Sequence, residues 1–173
     1  LKIVSEAFGN GTETSTTSAI LSNPGAVYAS KDALYVGADT MVFGWWFYPD
    51  YDLEESTVIH RFALDGGVPA YAGSGEVVGH LVNNSYAGAR NSPRFSMAQF
   101  AMSEYDGHLR VATTVNPYSF DATDLDNRVT VLDIRNLEMV GEVSGLGRGE
   151  RIYAVRFIGP RGYVVTFKKV DPL

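Results

Sequence analysis

The residues best suited to chemistry lie in one short run, Phe43-Gly-Trp-Trp-Phe-Tyr-Pro-Asp-Tyr51. Trp45, Trp46, Tyr48 and Tyr51 place four aromatic rings beside Asp50 and Asp52. Such faces stack on sugars or grip a peptide. The same rings would also serve to cover a sheet edge or to pack between neighbouring sheets, since aromatics dominate core and interface area. A second run, Asp121-Ala-Thr-Asp-Leu-Asp-Asn127, gathers Asp121, Asp124 and Asp126. Oxygen donors at this density suit calcium, a hard cation. The run lacks the glycine and the glutamate that a helix–loop–helix calcium loop needs at its sixth and twelfth positions, so a solvated turn between strands competes with the metal site.

Other constellations are thinner. His60, His80 and His108 fall on different segments with no close ligand spacing, although a ring of repeats could bring such residues to a common axis. Gly73–Gly79 and Gly145–Gly149 resemble phosphate-binding glycine runs, but both lead into strand-like sequence. A phosphate would need a helix N-terminus there, so both runs are expected to be turns, the second joining one repeat to the next. Neither Gly-x-Ser-x-Gly nor His-Glu-x-x-His occurs. Scattered carboxylates could pair as glycosidase acids, a mechanism set by their separation in space. Arg148 and Arg151 could clamp an anion, or Glu150 could tie them into a junction between repeats.

Composition removes several classes. The chain has no cysteine, which excludes disulfides, thiolate zinc sites and a cysteine nucleophile. A net charge of -6 would repel a phosphate backbone, so nucleic acid is not an expected partner. No apolar run approaches the roughly 20 residues of a membrane-spanning helix. Leu1 in place of methionine suggests an internal residue of a longer product.

The elements that must position these residues read as strands throughout. Alternating or β-branched segments run over 1–8, 12–21, 26–30, 33–42, 56–64, 75–82, 97–103, 108–115, 128–134, 139–143, 151–158 and 162–169. Turn residues separate them, among them Gly9-Asn10-Gly11, Asn23-Pro24-Gly25, Asp65-Gly66-Gly67, Asp106-Gly107 and Gly159-Pro160-Arg161-Gly162. One hairpin phrase recurs at 27–36, 100–113 and 155–167, with Leu34, Leu109 and Tyr163 as its anchors. Thr57–Asp65 corresponds in turn to Arg128–Asn136, and 75–81 to 138–143. Each repeat therefore holds four strands, the size of a propeller blade. The expected fold is an all-β propeller fragment, about three blades' worth of four-stranded antiparallel sheets, cut mid-blade at both ends. Its expected units are 1–25, 26–94, 95–147 and 148–173. Two inserts, 40–55 and 83–94, break the spacing, and long loops on regular strands are where specificity tends to sit.

From Phe95 onward the pattern Met102-Ser-Glu-Tyr-Asp-Gly-His-Leu-Arg-Val-Ala-Thr-Thr114, Val131-Leu-Asp133, Val140-Gly-Glu-Val143 and Gly149-Glu-Arg-Ile-Tyr-Ala-Val-Arg-Phe157 resembles the secreted β-propeller proteins distantly related to WD40 repeats. The resemblance implies a secreted or cell-surface location and carries no catalytic residue across. The expected function is a non-enzymatic binding scaffold for a protein or carbohydrate, with self-association through open blade edges as a further expectation. The competing reading is an enzyme whose active site lies at the propeller axis and is completed by other blades. Fold alone does not choose between them. No cofactor is expected apart from calcium at the Asp121–Asp126 run.

Overall fold

The computed structural model describes residues 2–6, 15–21, 24–40, 56–65, 68–81, 100–115 and 125–167. Over these residues the chain is antiparallel β-structure with no α-helix. No helix among them is long and apolar enough to cross a membrane. Strand β1 (Lys2–Glu6) pairs with β2 (Ser15–Ala19). A four-stranded sheet follows in chain order, made of β3 (Pro24–Ala29), β4 (Ala33–Asp39), β5 (Ser56–Asp65) and β6 (Val68–Val78). The next sheet contains β9 (His108–Val115), β10 (Asp126–Asp133) and β11 (Met139–Val143). Its fourth place, along the other edge of β9, is shared by two short strands, β7 (His80–Leu81) and β8 (Met102–Tyr105). Strands β12 (Arg151–Ile158) and β13 (Arg161–Phe167) form a last pair. The expected all-β fold of four-stranded antiparallel sheets is therefore present.

Three local expectations change. The segment 75–82, expected as one strand, is two. Strand β6 starts at Val68 and ends at Val78, and His80–Leu81 crosses over to pair with Thr113 and Thr114 of β9. The turn between them falls on Gly79, whose φ of +87° favours glycine, and a Cβ there would stand 2.9 Å from the Thr114 carbonyl oxygen. The glycine run 73–79, expected as a turn, is strand up to Val78. Its glycines serve a bulge opposite Arg61 and Phe62 and a close contact at Gly75. The third correction concerns the anchors. Leu109 lies opposite Glu104, on the face towards β3–β6, whereas Phe157 and its partner Gly162 face β9. Gly162, not Tyr163, thus matches Leu34 and Leu109. A one-residue slip puts a side chain on the other face of a sheet.

The sheets stack face to face. Strand β5 is buried on both sides, with Ile59 turned towards the second sheet and Phe62 away from it, both fully enclosed. Burying each contributes about 1.5–3 kcal/mol. Leu81, Met102, Leu109, Val111 and Leu132 belong to one continuous core with Ile59. Gly37 and Gly75 leave room where Leu81 and Leu137 of the second sheet press against the first.

A polar knot crosses this junction. The fully buried Tyr35 donates its hydroxyl to Glu104 Oε2 at 2.7 Å, and the Glu104 amide donates to the Tyr28 hydroxyl at 3.0 Å. Tyr28 and Tyr35 stack at 5.9 Å between centroids, and Arg61 Nε approaches the Tyr35 hydroxyl at 3.4 Å. Burial, then the bond to Glu104, pushes the Tyr35 hydroxyl well above its ordinary value of 10.0. The fold thus favours protonated Tyr35, and this contribution is complete below pH 10. It is lost as pH rises from there towards the raised folded value. Tyr35→Phe is expected to flatten the alkaline limb of a stability–pH curve measured by urea unfolding. A wild-type limb that falls no more steeply than the variant's would contradict this assignment.

Candidate functional site

The two ends of the stacked sheets differ. At one end the connections are short: Ser30-Lys31-Asp32, Asp106-Gly107, residues 134–138 and Gly159-Pro160. At the other end β4 leads into the chain between Thr40 and Ser56, and β9 into the chain between Val115 and Leu125. Strand β7 stops at Leu81 before the chain returns at Phe100. All three insertions are rooted on one feature, the Val78–Gly79 crossover. Thr57 Oγ1 donates to the Gly79 carbonyl at 2.8 Å, and Thr113 Oγ1 donates to the Val78 carbonyl at 2.7 Å. Leu81 and His80 pair with Thr113 and Thr114 directly beyond it.

Each root is tied. The Thr40 amide donates to the Ser56 carbonyl at 3.0 Å, and its hydroxyl donates to the same carbonyl at 2.7 Å. Ser56 Oγ in turn donates to Glu76 on β6. At the third insertion Asp126 pairs with Val115, and Asp126 Oδ1 accepts the Gly145 amide at 2.8 Å. Its Oδ2 accepts Arg128 at 2.8 Å.

Beneath the roots lies a floor of buried polar groups: Ser56, Thr57, His80, Thr113, Thr114 and Asn127. Asn127 is fully enclosed and works as a clamp. Its Oδ1 accepts Thr114 Oγ1 at 2.7 Å, and its Nδ2 donates to the carbonyls of Leu146 at 2.7 Å and Glu150 at 2.9 Å. The 144–150 connector is thereby fixed between β11 and β12, as expected for Gly145–Gly149. Glu150 also accepts Thr166 Oγ1 at 2.5 Å, which favours the junction role over an anion clamp for this segment. The Thr57 and Thr113 hydroxyls each reach a main-chain carbonyl, and Thr114 bonds Asn127. The floor ties together the strand ends from which the insertions leave.

Of the residues singled out in the sequence, Trp45, Trp46, Tyr48, Tyr51, Asp121 and Asp124 lie outside the described residues. Asp126 is placed, with both carboxylate oxygens engaged by protein donors. The three histidines are separate: His60 lies beside Tyr71 on β5, His80 is buried on β7, and His108 meets the Asp106 carbonyl at the short-turn end. No group of three His, Cys, Asp or Glu residues suited to a metal occurs among the described residues. Sequence reasoning passed over Asn127 and the Thr113-Thr114 pair. The available signal was a pair of β-branched hydroxyl residues at a strand end with an asparagine opposite them.

Comparison with known proteins agrees with this architecture. A family model described as "Beta propeller domain" matches residues 2–173. Uncharacterized protein MJ1554 of Methanocaldococcus jannaschii is 46% identical over 100 residues, covering 58% of this chain and 13% of that protein. An uncharacterized protein of Archaeoglobus fulgidus is 47% identical over 85 residues, covering 49% of this chain and 12% of that protein. The chain thus aligns with only about an eighth of these relatives' length. No solved structure matches.

Proposed function

The chain belongs to the beta propeller domain family, and on that premise we propose that it is a non-enzymatic binding scaffold whose ligand, a carbohydrate or a protein, is held at the end bearing the insertions. One observation carries the reading: three insertions root on the single Val78–Gly79 crossover, through Thr57, Leu81 and Thr113–Thr114. Packed sheets offer a rigid base from which loops of varied sequence present contacts. The first insertion supplies Trp45, Trp46, Tyr48 and Tyr51, the side chains that give flat, low-entropy contact area to sugars or peptides. A secreted or cell-surface location, and a distant relation to WD40 propellers, accompany this proposal on the strength of the resemblance from Phe95 onward.

Trp45 and Trp46 are the chain's two tryptophans, so its tryptophan fluorescence reports on the first insertion alone. A ligand recovered from a glycan array or a pull-down is expected to shift that emission. Trp45→Ala with Trp46→Ala should weaken binding at least about 30-fold, as loss of two stacked aromatic contacts implies. Unchanged binding in the double variant, with its sheet circular dichroism intact, would remove the insertion from the site.

A further inference from the structure

Strands β7 and β8 are two pieces of one strand. Leu81 stands opposite Thr113 of β9, and Met102 stands opposite Val111. The single ladder place between them, at Ala112, is taken by Ala101, whose carbonyl accepts the Ala112 amide at 2.8 Å. Strand β9 keeps an unbroken register with β10 across these places. The side chains keep step as well. Leu81 and Met102 enter one core with Val111, as residues two apart on a single strand do. Without residues 82–100 the chain would read His80-Leu81-Ala101-Met102 and on to Tyr105, seven residues in all. That length falls between the six of β3 and the eight of β12, which hold the corresponding place in the neighbouring repeats. The nineteen residues 82–100 therefore leave the chain and return to it at adjoining places of one strand. The other two insertions differ. Each joins a strand to its antiparallel neighbour, β4 to β5 and β9 to β10, and so closes a hairpin that the sheet requires.

We propose that residues 82–100 are a recognition insert for carbohydrate, set into a strand that is complete without them. The inference rests on the binding-scaffold reading and says which insertion is separable from the fold. Three features favour it. First, cost: closing a nineteen-residue loop takes conformational entropy that a direct Leu81–Ala101 peptide bond would avoid. The ladder gains no place in return, and loops beyond about 12–15 residues in compact domains are chiefly functional when ordered. Second, position: β7 and β8 form the edge of their sheet that begins the repeat, the edge a propeller turns to its central channel. Phe100, the last residue of the insert, is 37% exposed and lies beneath the Arg156 guanidinium of β12 at 5.9 Å, so the insert returns beside the first strand of the next sheet. Third, composition: Asn83, Asn84, Asn91 and Gln99 give the insert four side-chain amides and it has no carboxylate. An amide both donates and accepts, as pairing with sugar hydroxyls requires.

A chain with residues 82–100 deleted, so that Leu81 is joined to Ala101, tests this against the intact chain. It is expected to keep the sheet circular dichroism and to unfold at an equal or higher urea concentration. On a glycan array its strongest signal should fall at least about tenfold below that of the intact chain. A second variant, with a Gly/Ser segment of equal length in place of 82–100, should also fold and also lose the signal, which guards against strain at the new join. Loss of the sheet spectrum in both variants would overturn the proposal and make the insert part of the fold. A deletion that folds and keeps the full signal would overturn it too, leaving recognition to the other two insertions. An intact chain silent on the array would overturn it together with the carbohydrate reading of the scaffold, a failure seen before either variant is made.

Discussion

Asn127→Ala is expected to destabilise the fold by roughly 2–4 kcal/mol, the range for removing the hub of a fully buried hydrogen-bond network. The substitution removes the partner of the Leu146 and Glu150 carbonyls and of the buried Thr114 hydroxyl at a side chain that has no exposed surface. The damage also spreads. The 144–150 connector keeps its amide bonds to Asp126 and to the Asn127 carbonyl but loses the side-chain clamp on its Leu146 and Glu150 carbonyls, and the β12–β13 hairpin is carried on that connector. Asn136→Ala provides the contrast, since Asn136 is exposed and bonds only within its own turn, to Glu138. Its loss should cost below about 1 kcal/mol. Urea unfolding of both variants measures the difference, and equal midpoints would refute the clamp.

The second large effect is expected at Gly75. A Cβ there would overlap the Leu137 carbonyl oxygen and come within 2.7 Å of the Leu137 side chain. Leu137 cannot retreat easily. It is buried, its φ is +58°, and its amide donates to the Asp133 carbonyl at 2.8 Å. Gly75→Ala should therefore prise the two sheets apart at a cost of roughly 2–4 kcal/mol. Gly37→Ala meets instead the Cδ1 methyl of Leu81, the movable end of a side chain, and should cost about half as much or less. Gly141→Ala meets nothing and should be neutral. An order of stability other than this one would mean that the sheets do not meet at Gly75 and Leu137.

Much of this architecture was legible in the residues, for identifiable reasons. Alternation marked β9, β10, β12 and β13 within one or two residues, because one face of each is core and period-2 patterning follows. Asp106-Gly107 read correctly as a two-residue turn, its side-chain types matching the backbone needed there. The division at Gly79 was not legible. Apolar character continues from Val77 and Val78 into Leu81, and only the pairing of His80 and Leu81 with β9 shows that the chain has changed sheets. The sharing of one strand position by β7 and β8 was hidden for the same reason. Tyr163 was misaligned because Gly162 has no side chain to read as an anchor and Tyr163 is the first large apolar residue after the turn, while the register makes Gly162 the equivalent. The aromatic and acidic runs were legible as residue types, and of their named residues Asp126 alone falls among the described ones. Their common root was not, since Thr57, Gly79 and Thr113 meet only across two sheets.

That common root is the centre of the functional reading, and hydrogen exchange tests it most directly. The chain would be compared with and without the ligand recovered by array or pull-down. Protection is expected in peptides spanning 41–55, 82–100 and 116–125 together, with the turns at 30–32, 106–107, 135–137 and 159–160 unchanged. Protection confined to those short turns, or to one insertion with the other two unaffected, would contradict it.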